Sequence, residues 1–215
     1  MTTRDATLAL ALVADPTLKL SEFLQSGTYF DDPASTKYHR AYRGGLADHC
    51  LGVFVHLHRL SLGFTAAPTG PAPSVQALAT IALCHDLCKV GRYRVGYKNV
   101  KDDTGHWDKV PIFEYATDET FILGHADQSL FIAQDVLGRK LLPDVAMAIR
   151  FHMGLFGAAP GEETSRMTSA MALTPLVVLT QAADLLDTHR PKSDPDDAVV
   201  GATLSILASL ENAVP

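Results

Sequence analysis

An all-α fold carrying one small β-hairpin is what this 215-residue sequence predicts. Three observations lead there. Apolar residues recur at helical spacing along nearly the whole chain. One stretch alone, residues 93–115, alternates aromatic or β-branched residues with polar ones. Hydrophobic residues make up 47% and charged residues 20%, ordinary proportions for a chain with one buried core.

Taken in order, the periodicity predicts helices over 4–14, 18–26, 44–62, 75–89, 126–137, 143–153, 174–188 and 196–211. The opening "MTTRDATLALALVADPTLKL" has a short apolar run flanked by Asp5 and Asp15. It lacks the basic-then-apolar layout of a signal peptide and reads as a first helix. Breaks are expected at "TAAPTGPAPS" (65–74) and "GAAPGEETSRMTS" (157–169), both rich in turn-forming residues. Within 93–115 the "DDTG" at 102–105 marks a hairpin turn. The ribbon is expected to act as a flap, with Lys98, Lys101, Trp107 and Lys109 near a ligand or simply solvated. No internal repeat is visible, and the length suits a single domain over 1–215.

Composition narrows function. No apolar run approaches the ~20 residues that cross a bilayer, so no membrane association is expected. Three cysteines, Cys50, Cys84 and Cys88, argue against a disulfide framework and for a reducing, cytoplasmic setting. With no second cysteine pair to close a zinc site, they read as buried structural thiols. A formal net charge of −6 disfavours a protein that grips many phosphates through charge alone.

Polar, metal-type residues nevertheless interrupt the apolar runs. "ATIALCHDLCKVGRYRV" ends a core-type helix on adjacent His85 and Asp86, with Lys89 and Gly91 following. "GGLADHCLGVFVHLHRL" sets His49 within a strongly apolar helix. "GHADQS" opens a helix at His125, and "AMAIRFHMG" closes one at His152. In "TPLVVLTQAADLLDTH", Asp184 stands among Val177, Leu179, Leu185 and Leu186, where a carboxylate is costly to bury without a cation or hydrogen bonds. Asp187 lies near the helix end and is expected to be solvated, His106 and His189 exposed, and His56 and His58 structural.

The order His49, His85-Asp86, His125, His152, Asp184 resembles the HD-domain metal-dependent phosphohydrolase superfamily over residues 38–188. "HDLCKVG" resembles its HD-x-x-K-x-G segment, and "GGLADHCLGV" the helix of its first histidine. "GHADQS", "RFHMG" and "TPLVVLTQAADLLD" are similar to its later histidine and aspartate segments. Within the superfamily the likeness is to the HD domain of OB-fold-linked 3′–5′ exoribonucleases, which share Tyr38-His39 and the Gly-Gly-Leu-x-x-His helix. No run of five short strands like an OB fold precedes it here, and the "GYP" of HD-GYP phosphodiesterases is absent.

The resemblance implies an HD helical bundle and one or two divalent ions. His49, His85, Asp86 and Asp184 would hold the first ion, and Asp86 would bridge to a second held by His125 and His152. These nitrogen and oxygen donors suit Mn, Fe, Co, Ni, Zn or Mg. Two ions ~3.5–4 Å apart serve in-line displacement at phosphorus. Lys89, one turn past the His-Asp pair, is expected to clamp the reacting phosphate, with Asp86 and Lys89 the catalytic pair. Arg92, Arg43 and Lys98 are weaker phosphate candidates, and Trp107 is placed against a base. The expected activity is hydrolysis of a phosphoester or phosphoanhydride of a small, nucleotide-type substrate. The alternatives are 3′–5′ exonuclease action on single strands, with nucleic acid the less favoured partner, and di-iron oxygenase chemistry. A non-catalytic sensor would have no need of all six donors, and homo-oligomers are compatible with everything read here.

Overall fold

Helix α1 (Thr3–Ala14) starts on a reciprocal cap. The Thr2 hydroxyl accepts the Asp5 N–H and the Asp5 carboxylate accepts the Thr2 N–H. Its Ala6, Leu10, Ala11 and Ala14 are buried against the rest of the bundle. The computed structural model describes residues 1–64, 72–116, 123–154, 161–190 and 197–211. After α2 (Lys19–Ser26), a non-helical segment leads to α3 (Gly45–Phe64), whose residues from Gly45 to Leu57 are buried at all but two positions, Asp48 and His56. Such a helix must be surrounded. It packs on α1, on α4 (Val75–Cys84), on α8 (Pro175–Thr188) and on α9 (Asp197–Glu211).

Helix α4 is buried from Ala77 to Cys84, which is why its sequence is apolar on every side. Each fully buried leucine of α3 and α4 contributes roughly 2 kcal/mol through burial. The helix expected over 75–89 stops at Cys84, and Leu87–Lys89 form a separate 3-10 turn. The cause is local: the His85 imidazole donates its Nδ1–H to the Ala82 carbonyl, an acceptor left open at the helix end. The next change of direction is the ribbon, β1 (Tyr93–Lys101) paired antiparallel with β2 (Trp107–Tyr115), Tyr97 opposite Pro111. Asp102 closes the turn by accepting the N–H groups of Thr104 and His106. Backbone bonds link residue 102 with 106 and 92 with 116, so bonded pairs fall on even β1 numbers. Pro111 therefore lies in a non-bonded pair with its nitrogen toward the free edge, where proline is tolerated. Most of the ribbon is exposed.

Helices α5 (His125–Leu137), α6 (Pro143–Arg150), α7 (Glu162–Leu173), α8 and α9 complete the described fold. Helix α6 ends at Arg150 rather than 153, and it ends as α4 does, with the His152 Nδ1–H donated to the Ile149 carbonyl. One expectation is overturned. Residues 162–169, read as part of a break, belong to α7. Glu162 and Glu163 suit its N-terminal dipole, Glu162 pairs with Arg166 at 2.5 Å one turn on, and Met167 and Ala170 are buried. Small-residue composition hid these helical features. Residues 65–71 and 157–160 of the expected breaks lie outside the described residues. Between α7 and α8 the chain bends by 108° at Thr174, whose hydroxyl accepts the Leu176 N–H. Among the described residues no single helix is long and apolar enough to cross a membrane.

Candidate metal centre

Six side chains from five places in the chain meet in the bundle interior. His49 comes from α3, His85 and Asp86 from the end of α4, His125 from the start of α5, His152 from beyond α6 and Asp184 from α8. They form two triads, His49–His85–Asp184 and Asp86–His125–His152, with the donor atoms of each within 4.8 Å of one another. Asp86 stands between them. Its Oδ2 lies 3.6 Å from Nε2 of both His49 and His85. Its Oδ1 lies 2.6 Å from His125 Nε2 and 3.7 Å from His152 Nε2. His49 Nε2 is also 3.2 Å from Asp184 Oδ1 and 3.2 Å from His85 Nε2.

Each imidazole is oriented from behind. His85 and His152 donate Nδ1–H to their own helix carbonyls, at 2.9 and 2.8 Å. His49 Nδ1 lies 2.8 Å from Asp187 Oδ2, and His125 Nδ1 3.0 Å from the Cys88 sulfur. A proton committed to Nδ1 leaves the Nε2 lone pair facing inward, the tautomer a metal ligand needs. The set fits a divalent ion: converging imidazole nitrogens and carboxylate oxygens, four of the six residues buried and His125 and Asp184 part-buried, with no thiolate among the inward donors.

Electrostatics give the same picture. Burial alone would make His49 harder to protonate, yet hydrogen bonds to Asp184 and Asp187 hold its pKa up at about 9. Burial likewise opposes the His125 cation, and Asp86 raises it to about 9. His152 goes the other way, to about 3, through burial and the neighbouring His85 and His125. Asp86 stays well below the usual carboxylate range despite burial, held down by Lys89 and the imidazoles. Without a cation, protons on His49 and His125 balance the carboxylates.

This arrangement predicts a bell-shaped stability profile for metal-free protein. His49 and His125, raised above their unfolded value near 6.5, contribute stability that is full below 6.5 and lost as pH rises through about 9. His152 and His39, lowered to about 3 and about 4, contribute stability that is full above 6.5 and lost as pH falls below it. Thermal melts in chelator should peak near pH 6.5, and monotonic stabilisation from pH 5 to 9 would contradict these assignments.

The structure corrects one expectation and supplies two omissions. Asp187 is not solvated: it is buried, takes both Arg40 nitrogens at 2.8 and 2.9 Å, and supports His49. Gly52 makes room for it, since a Cβ there would lie 1.8 Å from Asp187 Oδ1. Gly45 does the same for the Arg40 segment, where a Cβ would lie 2.1 Å from the Arg40 carbonyl. The glycine inside a long apolar helix was the available signal. His39 is the first omission. Its ring lies 5.0 Å from that of His49, and its Nε2 is buried with no hydrogen-bond partner among the described residues. Cys88 is the second, a buried thiol as expected but one touching His125.

Of the cationic candidates, only Lys89 is placed at the centre by a contact. Its part-buried ammonium lies 2.5 Å from Asp86 Oδ2, and Asp86 keeps it charged against the effect of burial. Arg43 is committed to Asp31 on the surface and is not drawn in. Arg92 is half-buried at the ribbon base, Lys98 is exposed on β1, and Trp107 is exposed at the far end.

A helical bundle that brings four imidazoles and two carboxylates together in two adjoining triads defines a metal-centre type of site. The family model of the HD domain matches residues 46–189, and the chain belongs to the HD domain family. Metal-dependent hydrolase activity and divalent-metal binding follow from that membership and from the two triads. No curated protein and no solved structure matches the chain.

Proposed function

We propose that the protein hydrolyses a phosphoester or phosphoanhydride of a small, nucleotide-type substrate. The observation that carries this reading is the part-buried Lys89 ammonium on the same Asp86 carboxylate that stands between the two triads. His49, His85 and Asp184 would hold one ion, and Asp86, His125 and His152 a second. Such ions supply Lewis-acid activation of water and charge neutralisation at a phosphoryl group. The chain's own part is positional. Asp86 presents one oxygen to each triad, the Nδ1 bonds keep the four imidazoles aimed inward, and Lys89 offers a fixed positive charge to a phosphate oxygen. An ammonium beside the metal ligands suits an anionic phosphoryl group better than it suits oxygen chemistry on the same ligands. The three unpaired, buried thiols suit a reducing cytosol.

One observation favours the exonuclease as a second reading. Directly opposed residues share a ribbon face, so Tyr93, Tyr115, Val95, Phe113, Tyr97, Lys109, Lys101 and Trp107 line one side. Lys101 stands 5.8 Å from the Trp107 ring and Lys109 5.3 Å from the Tyr97 ring. Stacking rings with cations are what a single strand uses. The two readings differ in salt dependence, because binding many phosphates displaces many counterions. We expect kcat/KM for mononucleotides at least equal to that for matched oligonucleotides, with a modest salt effect, and Trp107→Ala altering base preference more than turnover. Digestion of single strands without mononucleotide cleavage would replace the first reading with the second.

A further inference from the structure

His39 reaches the metal centre without belonging to either triad. It lies in the non-helical segment between α2 and α3, and its ring stands 5.0 Å from that of His49, tilted by 54°. Its Nε2 is buried with no hydrogen-bond partner among the described residues. The charges acting on it are those of the centre, from His49, Lys89, Asp86 and Asp184. A buried polar atom left unpaired is costly, and folded chains retain few of them. This one is nevertheless fixed in place. The Ser35 hydroxyl accepts the N–H groups of Tyr38 and His39 at 2.9 and 3.0 Å and donates to the His39 carbonyl at 2.8 Å. The Arg40 carbonyl accepts the Ala34 N–H at 3.1 Å. Arg40 itself holds a left-handed φ of 44°, a conformation that persists only where the surroundings over-determine it. Here the surroundings include Asp187, which takes the Arg40 guanidinium and also backs His49. One carboxylate therefore sets the His39 segment and the His49 ring relative to each other.

We propose that His39 is a substrate-binding residue whose Nε2–H donates a hydrogen bond to a phosphoryl oxygen held at the metal centre. This rests on the phosphohydrolase reading given above and adds a residue to it. Lys89 offers a phosphate a point charge, whereas an imidazole N–H offers a directional bond, strengthened by the charge on the accepting oxygen. Both the neutral ring with its proton on Nε2 and the imidazolium can make that bond, so no change of protonation is involved. The role differs from that of the triad histidines, whose Nε2 atoms face one another and the carboxylates of Asp86 and Asp184.

The test is calorimetric titration of the manganese-loaded full chain with inorganic phosphate, beside elemental analysis and melting curves of the same samples. His39→Ala keeps the backbone bonds to Ser35 and should leave metal content and Tm unchanged. It should weaken phosphate binding about tenfold or more, the usual consequence of losing one hydrogen bond to a charged group. His39→Gln, whose side-chain amide also carries N–H donors, should bind phosphate more tightly than His39→Ala. Equal phosphate affinity in wild type and His39→Ala, or no recovery in His39→Gln, would overturn the proposal and leave the phosphohydrolase reading standing. Loss of manganese from His39→Ala would overturn it as well, by making His39 a metal ligand. A wild-type chain that binds no phosphate at millimolar concentration would remove the phosphohydrolase reading and this proposal with it.

Discussion

Asp86→Ala is expected to abolish phosphoester hydrolysis while leaving most helical structure in place. The residue serves both triads, with Oδ1 2.6 Å from His125 Nε2 and Oδ2 3.6 Å from Nε2 of both His49 and His85. Its loss removes one of the three donors of the second triad and the carboxylate that reaches toward the first, and it strands the Lys89 ammonium, whose partner it is at 2.5 Å. Charge neutralisation by metal ions is worth several kcal/mol at the transition state, so turnover should fall on the order of 10³-fold or more. Metal content by elemental analysis should fall with it. His125→Ala or His152→Ala removes a donor from one triad alone and should cost less. Because an ammonium left without its carboxylate also destabilises, Asp86→Asn provides the isosteric control, with similar volume and no charge. Wild-type turnover in Asp86→Asn would leave the proposed centre without a mechanism.

Gly52→Ala should destabilise the fold strongly for the addition of a single methyl group. A Cβ at this position would sit 1.8 Å from Asp187 Oδ1 and 2.5 Å from its Cγ, so the carboxylate has to move. Moving it breaks a buried pair with Arg40 and the support of His49 together. Breaking a buried ion pair typically costs ~3–5 kcal/mol. For a chain of this length that lowers Tm on the order of 10 °C. Metal affinity should drop as well, by roughly 10- to 100-fold, the usual consequence of losing the group behind a ligand histidine. Melting curves and metal titration of Gly52→Ala check both effects, and unchanged values would show that Asp187 has room to shift without consequence.

Which parts of this centre could be read from residues alone depended on the range of the forces involved. His85, Asp86 and Asp184 were legible because a carboxylate or imidazole inside an apolar helix demands compensation nearby. The ribbon was legible because alternation is a local property, and its strands fall within the expected 93–115. Asp187 was not, since its partner Arg40 is 147 residues away and nothing near the end of α8 announces it. Helix α7 was missed because the serines and threonines of "EETSRMTSAMAL" suggested a loop, while its stability comes from a glutamate-first turn and from burying Met167 and Ala170. Arg43 misled for the converse reason: its charge is spent on a surface pair with Asp31 that only the folded chain brings together. The split of the expected 75–89 helix followed from a side chain, His85, competing for a backbone acceptor.

That competition bears on how the protein takes up its ion. His85 and His152 are stoppers for their own helices before they are ligands, and their geometry comes from the backbone rather than from a metal. A centre of this kind behaves as a rigid macrocycle, not as a loop that wraps around whatever cation arrives. Little chain entropy is lost on loading, so affinity is set by how well an ion's radius and coordination number match a hole of fixed size. Selectivity among first-row metals would then be a property of helix lengths, because one residue more or less in α4 or α6 would turn a stopper histidine about 100° away from the hole.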